Sequence, residues 1–341
     1  MWGLDLDKYQ FDGFLTWTIF FLNADGTIYG RYGTRSESGH DAESDKLISL
    51  EGFKKTLERT ISLHKEYATS PKEVGETLAD KTGPKRIWKH AEDIPEMEEM
   101  FRTKSRFANN GNKRCIHCHM VPRTEVAALH RLKKDIPDFY FWHFPLPRDI
   151  GIEMDTKEVA TILKIRKDSI AAGTDLHVGD KIKSINGQPI LSTADIQWIL
   201  HHAREPDTLK MHIDRAGKSI TINVPLQKDW RLEIDDWRYL NQLMQGYLVN
   251  FRAQPADSAT RKKLGLRDDL LAFKVSWVNQ WKKKPASPLR NGDVIVGING
   301  NRKSLTVGAF TAYLFREANG KTVKLTIIRD GQTKSLKIKI P

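Results

Sequence analysis

A hydrophobic pattern with a period of two residues predicts a β-hairpin near the start of the chain. Thr16 to Asn23 alternates and is rich in aromatic and β-branched residues, and Thr27 to Tyr32 resumes the pattern after a gap. Ala24-Asp25-Gly26 fills the gap, and its glycine tolerates the positive φ of a tight turn. We therefore expect two antiparallel strands joined by a short turn.

Helical periodicity follows the hairpin. Ser49 is expected to cap a helix that continues to about Tyr67. Its apolar positions are Phe53, Leu57 and Ile61. Much of the sequence beyond residue 67 is polar and punctuated by proline and glycine, and two shorter helices are predicted there. They run from Pro95 to Phe107 and from Thr124, as N-cap, to about Lys134.

A long internal repeat occupies the second half of the chain. Residues 176–187 read LHVGDKIKSING and residues 289–300 read LRNGDVIVGING, so both fit L-x-x-G-D-x-I-x-x-I-N-G. Each copy precedes a helix-like stretch and a hairpin with a glycine turn. The copies lie 113 residues apart, which indicates a duplicated domain rather than a solenoid.

This order of turns, helix and hairpin resembles the PDZ domains of bacterial Deg-type proteases and their relatives. The resemblance implies two tandem PDZ-like β-barrel domains, over residues 146–228 and 229–341. The second is divergent and is interpreted as carrying an insertion from about Arg252 to Leu270. A PDZ domain binds an extended peptide, usually a protein C-terminus, as an added strand and holds its carboxylate with backbone N–H groups.

The first copy contains residues suited to that task. Gly151 allows a turn that aims successive N–H groups inward, and the helix from Thr193 to Ala203 is expected to form the opposite wall. The candidate peptide-binding residues are Asp149, Ile150, Gly151 and Ile152 of the loop and Ile196, Ile199 and Leu200 of the helix. Peptides or protein C-termini are the expected partners. In the alternative interpretation the groove holds the protein's own chain, or the domain is only a spacer.

The second copy has no clear version of the carboxylate loop. The nearest match is Met244 to Tyr247. We expect this copy to serve as scaffolding.

The amino-terminal hairpin, FFLNADGTIYGRYG, resembles the C-terminal half of a thioredoxin fold. The strand–helix–strand unit that carries the redox motif of that family is missing, and Trp17-Thr18 stands where the family has a cis-proline and a threonine. The whole chain resembles bacterial proteins that join a thioredoxin-like domain to PDZ domains, some of them selenoproteins. The implied fold is α+β and multidomain, with a partial thioredoxin-like domain over residues 1–67 and a helical linker over residues 68–145.

The linker contains CIHCHM, which includes the only two cysteines of the chain. C-x-x-C-H attaches haem c through two thioethers and places the histidine under the iron, so Cys115, Cys118 and His119 are candidate haem-binding or redox residues. His130 is the candidate sixth ligand. A dithiol or disulfide, a zinc site completed by His130, and an inert sequence are the alternatives, and no metal site is assigned.

Composition narrows the function classes. The chain has 55 basic and 43 acidic residues, a net charge of +12, but the basic residues are spread and lack the aromatic and arginine pattern of a nucleic-acid reader. The longest strongly apolar stretch, Leu15 to Leu22, is too short to cross a membrane, so no transmembrane segment is predicted. No nucleophile loop of the GNSGG type occurs, so we expect no protease or other hydrolase site.

The expected location is the periplasm or another exported compartment. Haem c is attached outside the cytoplasm, and the family resemblance implies export. Met1 leads directly into WGLDLDKYQFDG without the pattern of a signal peptide, so the true start is expected upstream. An in-frame UGA codon shortly before the Met1 codon would support this expectation. The predicted function is a redox-linked peptide-binding protein with an unknown redox partner. The alternative is a non-catalytic PDZ scaffold with an inert or zinc-binding CIHCHM.

Overall fold

The computed structural model describes residues 1–15, 17–33, 48–102, 115–158, 160–234, 249–278, 288–318 and 320–340. The chain divides into two compact units. The first combines residues 1–121 with 143–230, and the second combines residues 122–142 with 231–341. In the described ranges, no helix has the length and apolar character needed to cross a membrane.

The first unit begins with the predicted hairpin and helix. Strands β1 (Ile19–Leu22) and β2 (Ile28–Tyr32) pair antiparallel. Helix α1 (Leu50–Thr69) follows, and the Ser49 side chain accepts a hydrogen bond from the Gly52 N–H at 2.9 Å. Helix α2 (Pro71–Leu78) begins with its proline in the first turn, where no backbone donor is lost.

The predicted apolar face of α1 is wrong in part. Leu57 and Ile61 are exposed, whereas Gly52, Thr56 and Leu63 are buried. The buried Thr56 hydroxyl donates to the Gly52 carbonyl at 2.9 Å, so its polar group is satisfied inside the fold. The packed face is therefore rotated from the one that side-chain hydrophobicity suggested.

The β1–β2 hairpin is covered by other parts of the first unit. In half a thioredoxin fold, by contrast, one face of this hairpin would be exposed. Phe21, Tyr29 and Tyr32 pack with Leu63 of α1 and Leu78 of α2. Leu191, which belongs to the first repeat copy, lies in the same buried cluster. The amino-terminal segment and the first copy therefore share one core instead of folding as neighbours with separate cores.

Of the two helices predicted in the linker, one begins where predicted and the other begins earlier than predicted. Helix α3 is Pro95–Arg102, and residues 103–114 lie outside the described residues. Helix α4 is Met120–Arg131, so Thr124 lies within the helix and is not its N-cap. Pro122 stands in the first turn of the helix, where its missing N–H has no intrahelical partner to lose.

The first repeat copy folds from six strands and one helix. Strands β3 and β4 form a two-stranded sheet, and β5 to β8 form a four-stranded sheet in the order β6-β5-β7-β8. The elements are β3 (Ile152–Met154), β4 (Ile162–Ile165), β5 (Lys181–Ile185), β6 (Gln188–Pro189), helix α5 (Thr193–His202), β7 (Asp207–Arg215) and β8 (Lys218–Leu226).

The second unit carries the second copy as one five-stranded sheet in the order β13-β12-β11-β10-β9. Phe273 of the sheet stacks on Phe310 of its helix with ring centroids 4.5 Å apart. The elements are β9 (Phe251–Pro255), helix α6 (Ser258–Lys263), β10 (Phe273–Val278), β11 (Val294–Ile298), helix α7 (Val307–Arg316), β12 (Thr322–Arg329) and β13 (Gln332–Lys339).

The repeated G-D motif has the same structural role in both copies. The buried Asp180 carboxylate accepts from the His177 N–H at 2.8 Å and from the Arg215 guanidinium at 2.8 Å. Asp293 accepts from the Arg290 N–H and from Arg329, both at 2.7 Å. The motif thus joins a turn to the last hairpin through one charge-assisted network in each copy.

Candidate peptide-binding site

The predicted carboxylate loop is a 3₁₀ turn at Pro147–Ile150, closed by Gly151. Gly151 has a φ of 93°, and a Cβ at this position would collide with the Ser169 side chain. Its N–H donates to the Arg148 carbonyl at 2.9 Å, and the Asp149 carboxylate accepts from the Leu146 N–H at 2.7 Å. The turn is therefore fixed by its own hydrogen bonds and by a glycine that no other residue can replace without strain.

Strand β3 has one edge that pairs with no strand in the described part of the chain. On its other edge, the Gly151 carbonyl accepts from Arg166 N–H and the Asp155 N–H donates to the Thr161 carbonyl, both at 2.9 Å. Backbone groups alternate in direction along a strand, so the N–H and C=O groups of Ile152 and Met154 point to the unpaired edge. This edge has the geometry that strand addition requires.

Helix α5 lies against the carboxylate loop, as the sequence predicted for the two walls of a groove. Its N-cap, Ser192, accepts from the Ala194 N–H at 3.0 Å. The predicted apolar residues are all nearly inaccessible, with at most 4% of the surface of any of them exposed. These residues are Ile150, Ile152, Ile196, Ile199 and Leu200. Their side chains therefore lie below the accessible surface of the groove, and a ligand would first contact the backbone of β3.

Sequence reasoning missed the polar residues that fix α5 to the loop. The Phe144 ring stacks on His201 with centroids 4.0 Å apart, and the Phe144 N–H lies 3.2 Å from the His201 Nδ1. Gln197 donates from its side chain to the Phe144 carbonyl at 3.3 Å. No periodicity in the sequence relates these residues, because Phe144 stands in an irregular segment.

A buried charged cluster lies on another face of α5. The Lys81 ammonium is 2.8 Å from the Asp195 carboxylate, and both side chains are inaccessible to solvent. The Arg31 guanidinium lies 3.8 Å from the centre of the Trp198 ring and donates to the Lys81 carbonyl at 2.7 Å. Two cations and one carboxylate thus lie together in the shared core.

Burial lowers the pKa of both cations. Desolvation lowers the pKa of Lys81, although the Asp195 carboxylate opposes the shift. Desolvation also lowers the pKa of Arg31 to about 10, again against the attraction of Asp195. The single carboxylate therefore compensates only part of the cost of burying two positive charges.

The CIHCHM segment lies in the first unit immediately before α4. Cys115 and His119 are exposed, and Cys118 is half-buried. The structure records no disulfide between the two cysteines. The rings of His117 and His119 stack with centroids 5.6 Å apart, and burial raises the pKa of the Cys118 thiol. No group of three or more metal-ligating side chains occurs within the ranges that the structure describes.

The candidate sixth ligand His130 stands near the end of α4 and lies edge-on to Phe315, with ring centroids 6.4 Å apart. Both residues belong to the second unit. The role of His130 as a ligand stays a prediction.

The start of β9 in the second copy resembles the start of β3 in one backbone feature. Asn250, with a φ of 63°, precedes β9 as Gly151 precedes β3. The predicted loop, Met244 to Tyr247, lies outside the described residues. The insertion predicted from about Arg252 to Leu270 stays a prediction, and this segment contains β9 and α6. The spacing is longer since a helix joins the first two strands of this copy.

Helix α7 of the second copy is covered by an aromatic segment of its own unit. The Phe141 ring stacks on Phe315 with centroids 6.0 Å apart, and Arg316 pairs with Asp138. Trp142 packs so closely on Gly308 that a Cβ there would lie 2.6 Å from the indole nitrogen. This packing suits the scaffolding role expected for the second copy.

Comparison with known families identifies both repeat copies. The PDZ domain family matches residues 148–226 and 266–340, so the chain contains two PDZ domains, as predicted. We refer to them as PDZ1 and PDZ2. The thioredoxin-like character of the first segment stays a prediction.

Curated relatives are similar to this chain over part of their length. A protein of Marinomonas sp. described as "Probable periplasmic serine endoprotease DegP-like" is 26% identical over 227 residues, which are 64% of this chain and 46% of the relative. A protein of the same description from Pseudomonas savastanoi is 24% identical and covers 55% of this chain and 38% of its own length. The chain spans less than half the length of these relatives.

Solved structures give a weaker likeness. The HtrA-type protease AlgW with a tripeptide is 13% identical, with a TM-score of 0.24 over 53% of this chain and 58% of that chain. The same protease with a decapeptide gives a TM-score of 0.26 at 12% identity.

Proposed function

From its two PDZ domains, we propose that the protein is an extracytoplasmic binding protein that captures carboxyl-terminal peptides through PDZ1. The observation that carries this proposal is the unpaired edge of β3, which begins at the glycine-closed turn beside α5. A peptide added to this edge would bond to the backbone of Ile152 and Met154. Its carboxylate would lie at the Pro147–Ile150 turn.

The proposed location is the periplasm. The relatives from Marinomonas and Pseudomonas are described as periplasmic, which supports this location. Their endoprotease activity is not carried over to this chain, because the matched portions cover less than half of each relative.

A screen of peptides tests the binding function. A position-scanning library of octapeptides is prepared with free carboxyl termini and, in parallel, with terminal amides. We expect a subset of the free acids to bind with micromolar affinity, and amidation to weaken binding at least tenfold because the carboxylate loses its backbone donors. Equal binding of acids and amides would contradict the proposal.

The redox part of the proposal concerns CIHCHM. Cys115 and Cys118 would hold haem c through thioethers, and His119 would bind its iron. In the second form of the proposal the cysteines would act as a dithiol. The C-x-x-C-H spacing and the exposure of Cys115 and His119 support attachment of a planar group at the surface. When bound, haem supplies one-electron transfer, and this chain's residues hold it.

A spectroscopic measurement separates the forms of this redox proposal. Protein directed to a periplasm competent for haem attachment is examined by pyridine haemochrome and by thiol titration. An absorbing haemochrome supports haem c, and a colourless protein with a reversible disulfide supports the dithiol. A colourless protein without exchangeable thiol chemistry favours the alternative, a non-catalytic PDZ scaffold. The aromatic residues that cover helix α7 of PDZ2 also support a scaffolding role.

A further inference from the structure

We infer that the amino-terminal segment forms an end wall of the PDZ1 peptide site and limits the added strand to about three residues. This inference rests on the proposed function of PDZ1. It assigns the segment a role in ligand selection that does not depend on redox chemistry.

The direction of the ligand follows from the position of the loop. The Pro147–Ile150 turn stands at the start of β3, so a carboxylate held there places the ligand antiparallel to the strand. Residues upstream of the carboxylate must then run toward Met154 and the turn that follows it. That end of β3 is where the ligand would leave the site.

Helix α1 and its N-cap contact the β3 side of this exit. The Ser49 hydroxyl donates to the Thr156 carbonyl at 2.9 Å. Six residues further along the chain, Lys55 forms an ion pair with Glu158. Both partners belong to the connection between β3 and β4.

The same helix contacts the α5 side of the exit. The Thr56 hydroxyl lies 3.3 Å from the Leu191 carbonyl, directly before α5. Lys55 and Thr56 are consecutive residues, so a single turn of α1 bridges the two sides of the site. The Leu191 side chain is buried in the core of the amino-terminal segment, which fixes this bridge.

Strand β2 strengthens the wall at the start of α5. The Arg31 N–H donates to the Asp195 carboxylate at 3.2 Å, and the Ser192 hydroxyl donates to the Arg31 carbonyl. The inaccessible Lys81–Asp195 ion pair lies immediately behind this contact. Removing the wall would expose that pair and the apolar cluster together, so the wall is part of the folded unit.

The dimensions give the length of ligand that the site accepts. Strand β3 has three residues, which span about 10 Å at 3.3 Å per residue. A ligand longer than about four residues would meet α1 and would have to turn into solvent. Residues beyond the fourth from the carboxyl end should therefore add little to affinity.

A truncation series tests this limit with the full chain. The best free-acid octapeptide from the library is shortened from its amino end to six, four and two residues, and each affinity is measured by fluorescence anisotropy. We expect the octapeptide and the tetrapeptide to agree within about twofold, and the dipeptide to bind at least tenfold more weakly. A gain of tenfold or more from four to eight residues would overturn the inference and leave peptide binding intact. Failure of every octapeptide would overturn both.

Photocrosslinking locates the wall independently. A benzoylphenylalanine at the fourth residue from the carboxyl end is expected to label α1 within residues 48–59, as read by mass spectrometry. The same group at the last residue should label residues 147–152 and serves as the positive control. Labelling of the loop by the control without labelling of α1 by the probe would overturn the assignment of α1 as the wall.

Discussion

At the scale of single residues, the Lys81–Asp195 pair is the most demanding feature of the first unit. Both side chains are fully inaccessible, and Arg31 adds a second cation beside them. A buried ion pair contributes little net stability compared with apolar residues, but loss of one partner leaves an uncompensated charge. The sequence offers no hint of this arrangement, because its members are separated by 50 and 114 residues.

Replacing Asp195 by alanine should therefore be far more costly than removing one cation. We expect Asp195→Ala to lower the free energy of unfolding by about 3–5 kcal/mol, since Lys81 and Arg31 remain buried together. Lys81→Met keeps the volume and leaves Arg31 near Asp195, so its effect should be smaller. Urea unfolding of both variants measures the difference, and equal losses would contradict the account.

The two cysteines should differ in reactivity. Cys115 is exposed, whereas burial raises the pKa of the Cys118 thiol and lowers its thiolate fraction at pH 8. Iodoacetamide should therefore modify Cys115 first, and the rate at Cys118 should increase as the pH rises above 8. Mass spectrometry of Cys115→Ala and Cys118→Ala gives each rate separately. Faster alkylation of Cys118 at pH 8 would contradict the environment described here.

At the scale of elements, the sequence predicts the existence of helices and strands better than their contacts. The hairpin, the helix after Ser49 and both repeated hairpins follow from local periodicity and turn residues. The face of α1 does not, because its buried contact is the Thr56 hydroxyl and not the apolar Leu57. The start of α4 was misplaced because a proline in the first turn resembles a helix breaker in the sequence.

The carboxylate loop provides an element-scale prediction with a matched control. Gly151→Ala introduces a Cβ that collides with Ser169 at a φ of 93°, so the loop must shift. Gly187→Ala has a comparable backbone strain, at a φ of 81°, but its Cβ has no neighbour within 4 Å. Each substitution should cost about 1 kcal/mol of stability or more.

Only the Gly151→Ala variant should bind peptide much more weakly than the unmodified protein. We expect Gly151→Ala to weaken peptide binding at least tenfold, and Gly187→Ala to change it less than twofold, both measured by fluorescence anisotropy. Similar losses in the two variants would mean that the effect comes from general destabilisation of PDZ1.

At the scale of the whole molecule, the second unit carries the entire net positive charge. Residues 122–142 and 231–341 hold 25 basic and 12 acidic residues, a net charge of +13. Residues 1–121 and 143–230 hold 30 basic and 31 acidic residues, a net charge of −1. The composition of the entire chain conceals this asymmetry, because it sums the charges of both units.

This asymmetry should appear in the salt dependence of unfolding. Self-repulsion at +13 destabilises the second unit at low ionic strength, and salt screens it. Raising sodium chloride from about 20 to about 500 mM should therefore raise the melting temperature of the second unit by several degrees and that of the first unit much less. Phe310→Ala, at a fully buried site of the second unit, identifies which calorimetric transition belongs to it. A salt-independent second transition would contradict this argument.

The repeat motifs predict the elements of the candidate peptide site but not the long-range contacts around it. The repeat located β3, its glycine turn and α5, because these elements depend on local motifs. The wall formed by α1 depends on contacts between residues separated by about 100 positions, such as Ser49 with Thr156, and no local pattern reports them.

Hydrogen exchange at β3 tests the central claim most directly. The Ile152 and Met154 amides face the unpaired edge, whereas the Glu153 amide faces β4, so the strand contains its own control. Saturation with the best free-acid octapeptide should slow exchange at Ile152 and Met154 at least tenfold and leave Glu153 nearly unchanged. Ligand-induced protection elsewhere, with Ile152 and Met154 exchanging as before, would show that peptides do not bind by strand addition to PDZ1.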